Sequence, residues 1–110
     1  MEKRRWIEIC LQFADAYEDH PFDLDPNAAD AWTLARHRDN KKTFAFIYER
    51  GGLCINLKCD PDESEFLRKI YPSITPGYHM NKRHWITVRP GEIPEDVTRA
   101  LIGKSYELTK

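Results

Sequence analysis

The chain lacks any apolar run approaching the ~20 residues that a membrane-spanning helix needs, so no membrane association is expected. Its first residues, Met1-Glu2-Lys3-Arg4-Arg5-Trp6, lack the apolar stretch of a secretory signal, and a cytoplasmic location is expected. Cysteine is scarce: Cys10, Cys54 and Cys59 are an odd set of three without a Cys-x-x-Cys pair, which argues against a disulfide framework and a zinc ribbon alike. There is no glycine-rich phosphate loop, no nucleophile elbow and no His-Glu-x-x-His. The expectation is therefore a protein that is not an enzyme and needs no cofactor. A general basic excess is missing too: 17 Lys plus Arg stand against 18 Asp plus Glu, for a formal charge of −1. Strong nonspecific nucleic-acid binders usually carry a clear positive excess.

What is present fits one globular domain over residues 1–110, with 41% hydrophobic and 32% charged residues. The charge is unevenly spread. Between Trp6 and Ala35 there are seven acidic residues and no Lys or Arg, whereas from Arg36 to Lys110 fourteen basic residues face ten acidic ones. From Phe66 to Gly91 the bias is complete, with five cations and no acid. An acidic end and a basic region are expected, although a solvated surface of mixed sign would account for the same counts.

Ile7, Cys10, Leu11, Ala14 and Tyr17 recur at helical spacing, predicting a helix from Arg4 to about Tyr17 that stops before Pro21. Asp23 to Asp30 reads as an acidic loop. Strands are predicted at Ala31–His37, Thr43–Glu49 and Leu53–Cys59. The first two are joined by a hairpin turn at Arg38-Asp39-Asn40-Lys41-Lys42, and the third has the clearest period-two alternation. Asp60-Pro61-Asp62-Glu63 starts a second helix with a capping residue, a proline in the first turn and a box-like acid, with Phe66, Leu67 and Ile70 as its buried stripe. A short hairpin is predicted from Tyr78–Met80 and His84–Arg89, and a last helix from Pro94 to Leu108 that buries Val97, Ala100, Leu101 and Leu108. The order is α-β(3)-α-β(2)-α, an α+β two-layer domain with an antiparallel sheet and helices mainly on one face.

The chemistry concentrates in Thr75–Trp85. Asn81-Lys82-Arg83 at the predicted hairpin bend joins two cations to an amide, as phosphate contact and base-edge recognition require. Lys41 and Lys42, with Arg36 and Arg38, would supply a second basic tip. Hairpin tips are rich in such residues merely by being exposed, and that reading stands beside the functional one. His79 and His84 flank the bend, but no Cys, Asp or Glu lies near them in sequence, so no metal is expected. Tyr78 and Trp85 can stack on a planar ligand or pack on the core. Lys58, beside Asn56 on the polar side of its strand, would share a surface with His79 and Lys82.

The runs Ile55-Asn56-Leu57-Lys58-Cys59-Asp60-Pro61 and Tyr71-Pro72-Ser73-Ile74-Thr75-Pro76-Gly77-Tyr78-His79-Met80-Asn81-Lys82-Arg83-His84-Trp85 resemble the MmcQ/YjbR family of small bacterial proteins. Ile93-Pro94-Glu95, Ser105-Tyr106-Glu107-Leu108 and Pro21-Phe22 extend the resemblance over almost the whole chain. It implies the same α-β(3)-α-β(2)-α order, comparable with secretion-chaperone-like and frataxin-like (CyaY-like) folds, and no established catalysis. It also implies DNA binding, the label that family commonly carries by analogy with a double-wing sheet. The expected nucleic-acid-binding residues are then Lys41, Lys42, Lys58, Tyr78, His79, Asn81, Lys82, Arg83 and Trp85, on a monomer or weak dimer. The alternatives are a protein- or peptide-binding module using the sheet face, and a small-ligand site lined by Lys58, His79, Lys82 and Trp85.

Overall fold

A computed structural model describes residues 2–25, 27–28 and 30–110. Met1 lies outside the described residues, as do Pro26 and Ala29 of the expected acidic loop. The elements run α1 (Glu2–Leu11), β1 (Ala16–Asp19), β2 (Thr33–His37), β3 (Thr43–Glu49), β4 (Leu53–Lys58), α2 (Pro61–Ile70), β5 (Thr75–Pro76), β6 (Trp85–Val88), a 3-10 turn (Pro90–Glu92) and α3 (Glu95–Leu108). The six strands form one antiparallel sheet in the order β1-β2-β3-β4-β6-β5. The fold is α+β, as the sequence pattern predicts.

Period-two alternation sorts the strands into two faces. Ala35, Ala45, Ile47, Ile55, Leu57, Ile86 and Val88 are in register across β2, β3, β4 and β6 and are buried. Trp6, Ile7 and Cys10 of α1 and Leu101, Ile102 and Tyr106 of α3 join them in one core. Cys10 is fully buried there, and desolvation pushes its thiol up to about 12, the behaviour of a small core residue. At the sheet end the Ser105 hydroxyl takes the place of a strand pair, accepting from Lys58 N at 2.9 Å and donating to Phe44 O at 2.6 Å.

Several boundaries differ from the sequence expectation. The first helix ends at Leu11 rather than Tyr17, because Asp15 adopts φ 56 and turns the chain into an additional strand, β1. Tyr17 therefore pairs with Arg36 in the sheet, and its ring carries the Arg38 guanidinium at 5.1 Å. Tyr78–Met80 is a turn, and the partner of β6 is the two-residue β5. In α2 the Asp60 carboxylate accepts from Asp62 N at 3.0 Å as a cap should, but Glu63 pairs with Lys104 of α3 instead of closing the box. Only Ser64 and Leu67 of α2 are buried; Phe66 and Ile70 are 61% and 49% exposed. α1 and α3 already pack on the strands, so α2 docks beside the core through Leu67. On α3, Ala100 and Leu108 face outward, and Ile102, Ser105 and Tyr106 are buried in their stead.

Candidate functional site

The sheet face away from the core carries Phe46 and Tyr48 from β3, Asn56 and Lys58 from β4, and Trp85 and Thr87 from β6. Phe46 is opposite Asn56, Asn56 opposite Thr87, and Lys58 opposite Trp85. Asn56 is completely buried, so its amide needs partners within the protein. The hydroxyls of Tyr48 and Thr87 both donate to its Oδ1 at 2.7 Å, and its Nδ2 donates to Tyr78 O at 2.9 Å. Thr87 Oγ1 in turn accepts from Tyr78 N at 2.9 Å. Burial raises the Tyr48 hydroxyl to about 12, and it stays a proton donor at neutral pH. This closed set of bonds fastens the turn after Gly77 across the open face. Gly77 is required there: a Cβ would lie 2.7 Å from that of Trp85.

Over the network sits an aromatic cluster. Trp32 stacks on Tyr48 with ring centroids 3.9 Å apart and planes 1° from parallel, and its backbone N–H is held by the Asp23 carboxylate at 2.8 Å. Phe46 meets both Trp32 and Trp85 edge-on, at 6.3 and 5.5 Å. The Arg50 guanidinium lies 3.9 Å above Tyr78, whose ring also touches His79 at 4.0 Å. Phe22, Trp32, Phe46, His79 and Met80 enclose a groove of about 310 Å³. Sequence reading selected Tyr78, His79 and Trp85 from this region. It missed Phe22, Trp32, Phe46 and Arg50, which are distant in sequence; Trp32 and Phe46 fall there within predicted strands.

The cations gather elsewhere on the same sheet. Antiparallel pairing puts the start of β3, the end of β4 and the start of β6 at one end, with Lys58 beside Trp85. The Lys41–Lys42 turn precedes β3 and the Asn81–His84 turn precedes β6, so the two turns stand on either side of β4 at that end of the sheet. Lys41, Lys42, Lys82 and Arg83 are all exposed, and Lys58 is half-buried. Eight of the seventeen Lys and Arg residues make ion pairs among the described residues: Arg4, Arg5, Arg36, Lys69, Arg89, Arg99, Lys104 and Lys110. The five cations selected from sequence are not among them.

Local bonds restrict what some of these groups can do. Asn81 Oδ1 accepts from Arg83 N at 2.9 Å and shapes the turn, which leaves its Nδ2 as the free donor for a ligand. Lys82 Nζ donates to Gly77 O at 2.6 Å and braces the turn. Arg83, Lys82 and Arg68 line a polar groove of about 340 Å³ together with Asp62 and Glu65, so the surface is cationic but not purely so. His79 stands on the open face rather than at the sheet end, with φ 60. Among the described residues no three His, Cys, Asp or Glu side chains converge as a metal site, and no helix is long and apolar enough to cross a membrane.

The YjbR family model matches residues 11–108. Among curated relatives, the uncharacterised YyaQ of Bacillus subtilis is 39% identical over 104 residues, covering 84% of each chain. The uncharacterised YbdF of Escherichia coli O157:H7 is 58% identical over 60 residues, 54% of this chain and 49% of that protein, so the match spans about half of the relative's length. The uncharacterised YjbR of Escherichia coli K12 is 30% identical over 78 residues, 69% of this chain and 66% of that protein. A crystal structure of a Pseudomonas syringae protein superimposes over 100% of both chains with a TM-score of 0.84 at 32% identity. One of a Deinococcus radiodurans protein covers 96% of this chain and 75% of its own, with a TM-score of 0.77 at 30% identity.

Proposed function

For a chain that belongs to the YjbR family, we propose a binding rather than a catalytic role: attachment to the phosphate backbone of DNA through the sheet end carrying Lys41, Lys42, Lys82 and Arg83. One observation carries this reading. These four exposed cations have no ion-pair partner among the described residues and sit together on two turns at one sheet end, whereas Arg4, Arg5, Arg99 and Lys104 on the helices are matched by carboxylates. Unpaired cations on two adjacent turns release counterions when they meet phosphates, a driving force that does not require a net positive protein. Lys58 and Trp85 border the same end, and His79 and Asn81 supply polar contacts. Tyr78, already covered by Arg50, serves to shape the surface. In this reading the protein works in the cytoplasm as a monomer or weak dimer.

The test is retardation of labelled duplex and single-stranded DNA at low salt. The double variant Lys42→Glu, Arg83→Glu should abolish it while leaving the circular dichroism spectrum and melting temperature intact. Absence of retardation of either form by the unaltered protein would sink the proposal.

A protein-binding reading draws on a different observation. Phe66 and Ile70 are one helical turn apart on α2 and exposed, which places two large apolar side chains together on the surface. A partner seated there would stay bound in moderate salt and be lost on Phe66→Asp.

A further inference from the structure

The groove on the open sheet face is walled mainly by aromatic side chains, and ring contacts lead from it to the cationic end. Trp85 beside Lys58 touches Phe46, and Phe46 touches Trp32. We propose that the groove walled by Phe22, Trp32, Phe46 and His79 receives one unstacked base of a single nucleic-acid strand whose phosphates lie on the cationic sheet end. The proposal rests on the phosphate-binding reading and deepens it by naming the form of nucleic acid.

Four features support a base as the occupant. The platform is rigid before any ligand arrives, because Trp32 is held by its stack on Tyr48 and by Asp23, and Tyr48 by Asn56; little ordering is left to offset the gain of binding. The volume, about 310 Å³, is at the small end for ligand sites and suits one ring system rather than an extended cofactor. The lining itself includes no carboxylate, and the one anion bonded at its border, Asp23, accepts from the Trp32 N–H. His79 is exposed, and its ring nitrogens have no hydrogen-bond partner among the described residues, which leaves them for a base edge. Bases within a duplex have both faces covered by their neighbours, and only an unpaired or extruded base can enter a groove built of ring faces.

The experiment uses the full chain, a fluorescently labelled thymidine oligomer, and an oligomer of the same length in which abasic sites replace the bases. Binding is followed by anisotropy and by tryptophan quenching. The abasic oligomer should bind about tenfold more weakly. Phe22→Ala changes a residue that is 66% exposed and should leave folding intact; it should weaken the thymidine oligomer and not the abasic one. His79→Asn, which tolerates the left-handed backbone, should act in the same direction. Equal affinity for the two oligomers, or equal loss on both in the Phe22 variant, would overturn base capture while leaving the phosphate reading standing. No binding of either oligomer or of duplex at low salt would overturn the phosphate reading itself.

Discussion

The Tyr48 hydroxyl donates to Asn56 Oδ1 at 2.7 Å across the β3–β4 pairing, under the indole of Trp32. This bond joins the buried polar centre of the open face to its aromatic surface, and it is not alone: the Thr87 hydroxyl serves the same oxygen at 2.7 Å.

The shared acceptor makes the two partners unequal to mutation. Tyr48→Phe removes one donor but leaves Asn56 Oδ1 satisfied by Thr87, so it should cost about 0.5–1.5 kcal/mol. Asn56→Ala strands the Tyr48 hydroxyl and the Tyr78 carbonyl in a buried site and opens a void, and should cost roughly 3 kcal/mol or more. Urea unfolding of both variants checks this; equal losses would show that the network does not act through Asn56.

Stability should also depend on pH through His37. Its Nε2 donates to Thr109 Oγ1 at 2.7 Å, since that hydroxyl itself donates to Ser105 O. Burial holds the imidazole below its ordinary 6.5, with Lys110 lowering it further and Asp39, Glu107 and the Tyr106 backbone opposing. The unfolded chain therefore takes up a proton that the folded one resists. The associated stability is fully present above pH ~6.5 and falls as pH drops through the histidine range, by at most about 1.4 kcal/mol per pH unit. Melting temperatures between pH 7.5 and 5.5 should fall for the unaltered protein and fall less for His37→Gln. Parallel curves would contradict the assignment.

On α2, Leu67→Ala should cost about 2–4 kcal/mol, whereas Phe66→Ala should stay within about 0.5 kcal/mol. Chemical denaturation distinguishes them. A large loss for Phe66 would mean that the residue is covered after all.

These α2 residues show where sequence reading stops. Period-two alternation located β4 and the Asp60-Pro61 start located α2, because both signals are local. Helical spacing also nominated Phe66 and Ile70 for burial, but whether a stripe is covered depends on what the other helices leave open. β1 went unread because Tyr17 fits a helical stripe and the chain turns at Asp15, without a glycine or proline to mark it. The basic turns were legible, since Lys41, Lys42, Lys82 and Arg83 stand in short charged runs. Their flanking of β4 was not, because it follows from strand order. Trp32, Phe46 and Phe22 come together only through the sheet and the Asp23 bond, and no spacing rule connects them.

The central claim, attachment of nucleic-acid phosphates to the cationic sheet end, is tested most directly by salt. Affinity for a labelled single strand should fall between roughly 50 and 200 mM salt with a log–log slope of about −0.7 per phosphate neutralised, or about −3 for four cations. In the variant Lys41→Ala, Lys42→Ala the slope should become shallower by about 1.4. A slope near zero, or one that the double variant leaves unchanged, would contradict the account.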